Sequence, residues 1–285
     1  MSGQATQPRI RITILVENTA RRRGLLAEHG LSFWVEVGQR RILFDTGQGM
    51  ALRPNAERLG IDLALADTVV LSHGHYDHTG GLHQELACFR GAVVYAHLTA
   101  FRDRFVQRDD GSADGVGSLV PSAEALRSHV AQLVQTRRRP RSLGEGVWIT
   151  GEIPRIHAYE DVGGAFFLDS ACTTPDPIVD DLAMYIESRA GLVVLLGCAH
   201  AGVVNTLTHI AEISGGKPVL AVMGGMHLLS ASPERLERTF KAIEQYGPHL
   251  LVPLHCTGPK AMRALAARFS ESYRDGHVGL RLDFD

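Results

Sequence analysis

The six residues from His73 to His78 carry the clearest chemical signal in the sequence. They read His-Gly-His-Tyr-Asp-His and directly follow the apolar run 68–72, so three imidazoles and a carboxylate lie close together. Imidazole and carboxylate groups are ligands for zinc and similar divalent ions. Gly74 gives the backbone freedom, and on a loop that ends a strand all four side chains can converge on two adjacent ions. The spacing therefore predicts metal ligation by His73, His75, Asp77 and His78.

A site for two ions needs further ligands, and histidines at the ends of predicted strands are the natural candidates. His200 and His255 each come shortly after an apolar run, and His227 follows another run through two glycines. Turns between strand and helix are where α/β proteins gather their sites. The other histidines have no comparable placement, and we expect them to be structural or surface residues: His29, His83, His97, His129, His157, His209, His249 and His277.

Short β-rich segments and helices must position these residues. The first third of the chain reads as strands and hairpin turns, and the second half alternates strands with helices, so we expect two mixed sheets with helices outside. The predicted strands are 9–16, 31–37, 41–44, 68–71, 92–97, 147–150, 165–168, 182–186, 192–196, 219–222 and 250–252. The predicted helices are 51–59, one that opens at Gly80-Gly81, a stretch near 123–134, 202–213, 233–246 and 259–269.

Residues from about 98 to 146 break this pattern. Arg and Gly become frequent, and the segment has too few apolar residues for a core of its own. We therefore expect one domain, 1–285, with an Arg/Gly-rich insertion at about 98–146. The arginine run within it (137–141) and a second run, 21–23, are either solvated surface or a basic rim that attracts an anionic substrate.

The bulk composition is that of an ordinary globular protein. Apolar residues make up 45% and charged residues 21%, and the net charge is −2, so no global field draws the chain to nucleic acid or to an anionic membrane. No apolar run is long enough to span a bilayer, and segment 1–8 lacks an apolar signal core. The four cysteines show no CxxC spacing. We expect a cytoplasmic protein whose partner is a small molecule, with neither nucleic acid nor a membrane involved.

These motifs resemble those of the metallo-β-lactamase-fold hydrolases. His73-x-His75-x-Asp77-His78 after a buried strand, Asp45-Thr46-Gly47 upstream and later histidines at strand ends carry the resemblance, which runs from about Arg9 to about Gly258. It implies an α/β (α+β) fold, a four-layer αββα sandwich with a metal site at one edge of its two sheets. Four segments resemble the 7,8-dihydropterin-6-yl-methyl-4-(β-D-ribofuranosyl)aminobenzene 5′-phosphate synthase subfamily: 28–32, 197–202, 224–228 and 253–258.

The resemblance also implies how the ligands divide between two ions. One ion would be held by His73, His75 and His200, and the other by Asp77, His78 and His255. Asp45 would accept a hydrogen bond from a ligand imidazole. Zinc is the expected metal, and the same ligands also accept manganese or iron.

One part of the superfamily pattern is missing. The usual bridging aspartate is absent, because no Asp lies between His200 and His255. Cys198 stands near the expected place and could serve there only as a thiolate. Asp181, beside Asp180, is either a carboxylate from another direction or part of a polar pair that ends a Pro-rich loop. With His227, Cys198 and Asp181 are the candidates for an additional ligand or a substrate contact.

The expected activity is hydrolysis by a metal-activated hydroxide, since ions of this kind lower the pKa of bound water from about 15.7 toward 7. Asp77 would orient that hydroxide and manage its proton. The substrate would be a small phosphate- or carboxylate-bearing ester. A ribosyl-phosphate transferase of the synthase type and a non-catalytic metal- or ligand-binding protein are the alternatives. A redox di-iron enzyme is disfavoured because His75 stands where flavodiiron-like sequences carry Glu, and a nuclease because the chain is not basic.

Overall fold

The computed structural model describes residues 9–285, so segment 1–8, with its predicted lack of a signal core, lies outside the described residues. The strands are β1 Ile10–Val16, β2 Ser32–Val37, β3 Arg40–Phe44, β4 Thr68–Val70, β5 Val93–His97, β6 Phe105–Gln107, β7 Ala113–Gly115, β8 Gln132–Thr136, β9 Arg141–Gly144, β10 Val147–Ile149, β11 Phe166–Phe167, β12 Ala183–Ser188, β13 Gly191–Leu196, β14 Val219–Gly225, β15 Leu250–Leu254 and β16 Arg281–Phe284. The α-helices are α1 Leu52–Leu59, α2 Tyr76–Gln84, α3 Ala123–Arg127, α4 Val203–Ile213, α5 Pro233–Tyr246 and α6 Pro259–Arg268. Short 3-10 helices lie at Leu63–Leu65, Leu86–Phe89 and His255–Thr257.

Two large sheets carry the fold. The first has the strand order β16-β1-β2-β3-β4-β5-β8, and the second has the order β15-β14-β13-β12-β10-β9. In the first sheet β3, β4, β5 and β8 run parallel, and in the second β13, β14 and β15 do. The remaining neighbours are antiparallel, so both sheets are mixed, as the sequence predicts.

Alternation along the strands produces three separate apolar layers. Ile12 of β1 and Val193 of β13 belong to one core between the two sheets. The neighbouring positions point outward: Leu15 packs in a core with α1 and α2, and Val194 packs in another with α4, α5 and α6. Side chains of a strand alternate between its faces, so strands buried on both faces need helices outside. The expected four-layer αββα sandwich is confirmed.

Helix α2 begins earlier than the sequence predicts. It starts at Tyr76, inside the histidine motif, and Gly80 and Gly81 lie in its interior. The two glycines let the helix pack directly on another backbone segment: a Cβ on Gly80 would lie 2.2 Å from the carbonyl oxygen of Gln48, and one on Gly81 would lie 2.1 Å from that of Thr46. The predicted helix opening at Gly80-Gly81 was therefore wrong, because the glycines serve close packing and not a helix end.

Segment 98–146 is built into the sandwich. It supplies β8 to the edge of the first sheet and β9 to the edge of the second, and its strands β6 and β7 join β11 in a small third sheet. The helical stretch predicted near 123–134 was wrong in extent, since α3 ends at Arg127 and β8 begins at Gln132. Strand β16, which pairs with β1, was not predicted.

Two further properties bear on the sequence expectations. Within residues 9–285 no helix is both long enough and apolar enough to cross a membrane. Cys88, Cys172, Cys198 and Cys256 all lie in this range, and each is a free thiol.

Candidate metal centre

The predicted ligands meet at one edge of the two sheets. His73 and His75 lie on the loop after β4, and Asp77 and His78 occupy the first turn of α2. His200 follows β13, and His255 directly follows β15. Strands β4, β13 and β15 belong to the parallel parts of their sheets, so their carboxyl ends lie along common edges. This topology brings residues that are far apart in the sequence into one site.

The first group consists of His73, His75 and His200, all buried. Their candidate ligand nitrogens lie within 4.8 Å of one another, and His73 Nε2 is 3.0 Å from His75 Nδ1. Nε2 of His200 is buried without a hydrogen-bond partner. A buried polar atom without a partner is costly. Three converging imidazoles with such an atom fit a divalent metal ion, which would take the lone pairs of the three nitrogens.

The second group consists of Asp77, His78 and His255. Oδ2 of Asp77 lies 3.2 Å from His255 Nε2 and 3.8 Å from His78 Nε2. The same carboxylate oxygen lies 3.2 Å from Nε2 of His29, and the atoms of His29, Asp77 and His255 lie within 4.8 Å of one another. His29 is expected from the sequence to be structural or on the surface; it is half exposed and stands beside this group.

The second nitrogen of most of these imidazoles is held by a polar partner. Nδ1 of His78 is 2.7 Å from Asp45 Oδ2, as the sequence resemblance implies. Nδ1 of His73, His200 and His255 lies within 2.9 Å of, respectively, Ser72 Oγ, the Val162 carbonyl and Asn18 Oδ1. Partners of this kind fix the ring orientation of metal-binding histidines and leave Nε2 free to face the ion.

Asp45 is itself held in place. Its carboxylate accepts hydrogen bonds of 2.7 Å from both the backbone N–H and the hydroxyl of Ser72. The residue has φ +58°, a left-handed conformation that is rare outside glycine. Ala199, His227 and His255 have left-handed backbones too. Backbone strain of this kind clusters at functional sites, where the surrounding structure enforces it.

The surroundings divide the titratable groups into two kinds. Burial lowers the pKa of His73 and His200 well below the usual range and that of His75 to about 3, so these rings are neutral at pH 7 and can donate lone pairs. Burial acts the same way on His78, but the carboxylates of Asp45 and Asp77 raise its pKa to about 9.

Asp77 is an ionised carboxylate in spite of its burial. Burial by itself would raise its pKa, but the charge of His78 and hydrogen bonds from His255 and His29 hold the pKa well below its ordinary value. A carboxylate that is ionised at every physiological pH can act as a ligand or as a hydrogen-bond acceptor.

Cys198 lies at the centre of the site. Its Sγ is 3.1 Å from His78 Nε2, and the residue forms ligand-type groups with His73 and His78, with His200 and His227, and with His255 and Cys256. Burial raises the pKa of the Cys198 thiol, so a thiolate there needs a cation beside it. The thiol therefore lies beside histidines of both groups.

Asp180 and Asp181 accept hydrogen bonds from the backbone of the two loops that carry His73, His75 and His200. Asp180 accepts a hydrogen bond of 2.8 Å from the N–H of Gly74, and Asp181 accepts one of 2.7 Å from the N–H of Ala201. Neither carboxylate belongs to a ligand-type group with the histidines, within the part of the chain that the structure describes. The fully buried Arg104 forms ion pairs with Asp180, at 2.7 Å, and with Asp176, at 3.2 Å.

The two groups open into a cleft of about 360 Å³. Its wall includes His29, Tyr76, Phe166 and His227, which come from four separate segments of the chain. Of these four, the sequence predicts only His227 as a further ligand or a substrate contact. No arginine or lysine of residues 9–285 lines it. Both arginine runs therefore lie away from the cleft. Arg21, for instance, forms an ion pair with Asp275.

Two further residues that position a candidate ligand could not be predicted from the spacing of the histidines. Glu17 and Asn18 follow β1, and they bind the backbone N–H and Nδ1 of His255 at 3.0 and 2.9 Å. Neither is near a histidine in the sequence. His29 does lie in one of the segments that resemble the synthase subfamily, and that was the one available signal for it.

With this fold and this site, the chain belongs to the metallo-β-lactamase superfamily, whose sequence model matches residues 26–253. A protein of Methanocaldococcus jannaschii named 7,8-dihydropterin-6-methyl-4-(beta-D-ribofuranosyl)-aminobenzene-5′-phosphate synthase is 30% identical, with 90% of each chain covered. The crystal structure of Tm1679, a metal-dependent hydrolase of the beta-lactamase superfamily, is 30% identical, with a TM-score of 0.81 over 96% of this chain and 98% of that one. A diphosphatase from the PhnP family shares the fold at 13% identity and a TM-score of 0.53, with 97% and 98% covered.

Proposed function

We propose that this protein is a hydrolase that binds two divalent metal ions in the cleft and cleaves a small phosphate- or carboxylate-bearing ester. The observation that carries the proposal is the convergence of two ligand groups on one cleft. In His73, His78, His200 and His255 a hydrogen-bond partner holds the Nδ1 atom, so that Nε2 faces the other ligands. The similarity to a metal-dependent hydrolase over nearly the whole chain supports the same class of activity.

The residues of the cleft divide the work. Bound there, a divalent ion supplies Lewis acidity and lowers the pKa of coordinated water toward 7. Asp77, ionised and at the wall of the cleft, accepts a hydrogen bond from the attacking water and so orients it. His29 stands at the same wall with Nε2 3.2 Å from Asp77, and its hydrogen bond to that carboxylate helps to keep Asp77 ionised and in place.

The second group lacks the usual bridging carboxylate, and Cys198 is our candidate for that place. Its sulfur forms ligand-type groups with histidines of both sets, His73 and His200 on one side and His78 and His255 on the other. A thiolate is a soft ligand that suits zinc and binds magnesium poorly. We therefore propose zinc as the metal, with iron or manganese as the other metals that the histidines accept.

The size of the cleft favours a small substrate. A volume of about 360 Å³ lies at the lower end of the range for small-molecule sites. Since no arginine or lysine of the described part of the chain lines the cleft, the anionic oxygens of the substrate would meet the metal ions and the imidazoles of His29 and His227.

The relative from Methanocaldococcus jannaschii favours a second candidate function. Because that protein is named a synthase and covers 90% of this chain, a ribosyl-phosphate transfer to an aromatic acceptor is the alternative reaction. Tyr76 and Phe166 at the wall of the cleft offer surfaces for an aromatic ring. Product analysis separates the two: a hydrolase yields the free alcohol or acid with water alone, and a transferase yields a joined product only when the acceptor is present.

Metal analysis of protein purified without added metal tests the centre itself. We expect about two equivalents in the unaltered protein and about one in each of the variants His200→Ala and His255→Ala, since each removes a ligand from one group only. The variant His249→Ala is the matched control, because His249 is exposed and lines a different cavity from the metal cleft. One equivalent in the unaltered protein, or two in both variants, would refute the binuclear site.

Turnover then distinguishes a hydrolase from the third possibility, a non-catalytic metal-binding protein. The metal-loaded protein should hydrolyse members of a panel of small phosphoesters and carboxylic esters, and His200→Ala should lose that activity. Full metal loading without turnover on any phosphoester or ester, and without transfer to an acceptor, would favour the binding protein.

A further inference from the structure

A second cavity, of about 840 Å³, lies apart from the metal cleft and shares no lining residue with it. Its base includes His97 at the end of β5, and its rim carries Arg137, Arg138, Arg139 and Arg141. Strands β4, β5 and β8 are parallel neighbours, so this cavity opens along the same sheet edge as the histidine motif, two strands further on. Ligands of α/β proteins bind at such carboxyl edges.

The arginine segment is a short, anchored link between the two sheets. It joins the end of β8 at Thr136 to the start of β9 at Arg141. The N–H of Glu152 donates a hydrogen bond of 3.0 Å to the Arg137 carbonyl. Gly151 packs against the same backbone so closely that a Cβ there would lie 2.6 Å from the Arg137 oxygen. The guanidinium groups therefore extend from a fixed backbone, which lowers the entropy cost of binding.

The positive charge of this rim is largely uncompensated. The cavity contains one carboxylate, Glu152, which lies 3.1 Å from His97 Nε2 and 3.2 Å from Arg138 Nε. Arg137, Arg139 and Arg141 form no ion pair within residues 9–285. Four guanidinium groups against one carboxylate are a local excess of positive charge in a chain whose net charge is −2. Arginine binds phosphate through paired, charge-assisted hydrogen bonds.

We propose that this cavity binds a small molecule in which several linked phosphate groups are joined through a sugar to a flat aromatic base, the class of nucleoside polyphosphates. The charge excess calls for several negative charges close together. Leu98 and Val179, with the stems of the arginines, provide the apolar part of the lining. The volume lies within the range for drug-sized ligands. This site is independent of the metal centre and of the reaction proposed for it.

Calorimetric titration of the metal-loaded protein with ATP and with tripolyphosphate, in excess Mg²⁺, tests the proposal. We expect both to bind and ATP to bind more tightly, because only ATP contacts the apolar lining. The double variant Arg137→Ala/Arg139→Ala should weaken both by at least tenfold. The double variant Arg22→Ala/Arg23→Ala is the matched control, since it removes the same charge from an exposed segment elsewhere and should bind as the unaltered protein does.

The variant His200→Ala separates the two sites. ATP affinity unchanged in His200→Ala and lost in Arg137→Ala/Arg139→Ala would support a site in the second cavity. Affinity lost in His200→Ala would place the phosphates at the metal centre and overturn the proposal. Absence of binding, equal weakening by the two arginine double variants, or ATP no tighter than tripolyphosphate would overturn it as well.

Discussion

The orientation and protonation of each histidine in the centre depend on the partner of its Nδ1 atom as much as on the surroundings of Nε2. In His78 and His255 the Nδ1 atom contacts an oxygen of Asp45 or Asn18, and this leaves Nε2 directed at Asp77 and its neighbours. The surroundings also set the protonation state of each ring. Burial keeps His73, His75 and His200 neutral, whereas Asp45 and Asp77 raise the pKa of His78. The chemistry of each residue is therefore a property of its neighbours as well as of its type.

The substitution Asp77→Asn tests the role that we propose for this carboxylate. It keeps the size of the side chain and removes its charge, so we expect turnover to fall by about 10² or more, the usual worth of a positioned acid or base. Metal content measured in the same samples shows whether the second ion is lost with the charge. Unchanged turnover in fully loaded protein would remove Asp77 from the mechanism.

The place of Cys198 can be tested by spectroscopy without an assay of activity. Replacement of the bound metal by Co²⁺ should give a thiolate-to-cobalt charge-transfer band in the near ultraviolet, and Cys198→Ser should abolish it. Cys88→Ser is the control, because Cys88 contacts Arg53 and lies away from the cleft. A band of undiminished intensity in Cys198→Ser would show that this sulfur is not a ligand.

At the scale of elements, the carboxyl ends of parallel strands form the site, and loops from segment 98–146 and from 176–181 hold it from outside. Arg104 links them: it contacts Asp176 and Asp180, and Asp180 in turn accepts a hydrogen bond from the N–H of Gly74 in the loop after β4. A Cβ on Gly74 would lie 2.0 Å from the carbonyl oxygen of Ala100, so the loop also packs directly on this segment.

Removal of the buried arginine should therefore destabilise the protein. Arg104→Met leaves two buried carboxylates without their cation, and breaking a buried ion pair costs about 3–5 kcal/mol of unfolding free energy. Thermal unfolding measures the loss, and metal titration should show weaker binding as the Gly74 loop loosens. The control Arg108→Met breaks only an exposed ion pair with Asp114 and should unfold as the unaltered protein does. Equal unfolding midpoints for the two variants would contradict this role of Arg104.

At the scale of the whole molecule, folding buries acidic groups whose protonation then depends on the fold. Burial raises the pKa of Asp181 to about 7, whereas the same group in an unfolded chain has a pKa of about 3.9. Between these values the folded state binds a proton that the unfolded state does not. The contribution of Asp181 to stability is therefore fully present below about pH 4 and is lost as the pH rises through about 7.

The variant Asp181→Asn should remove this dependence. Urea unfolding of metal-free protein between pH 4 and 7 should show a free energy that falls more steeply for the unaltered protein, by up to about 1.4 kcal/mol per pH unit. The amide oxygen of the new side chain can still accept the hydrogen bond from Ala201. Asp103→Asn, an exposed substitution, should leave the slope unchanged. Parallel curves for Asp181→Asn and the unaltered protein would show that Asp181 does not titrate in this way.

Much of the fold could be predicted from the sequence because periodicity reports burial directly. Runs such as 192–196 and 219–222 are apolar at successive positions, so both faces of each strand are apolar. A strand needs two apolar faces only when it is covered by another layer on each side. The edges of the sheets were harder to predict. Strand β8 and helix α3 lie in a segment of weak periodicity, where pairing with β5 and not local preference determines the structure.

The sequence by itself determined the types and spacing of the candidate ligands, since neighbours such as His73, His75 and His78 are held near one another by the backbone. The tertiary structure decided what surrounds them. It brought the sulfur of Cys198 to 3.1 Å from His78 Nε2, placed His29 at the cleft, and directed the arginine run 137–141 to a cavity of its own. The spacing of residues along the chain determines distances only between residues that are close in sequence. Contacts between distant segments depend on strand order and layer packing, which no single segment encodes.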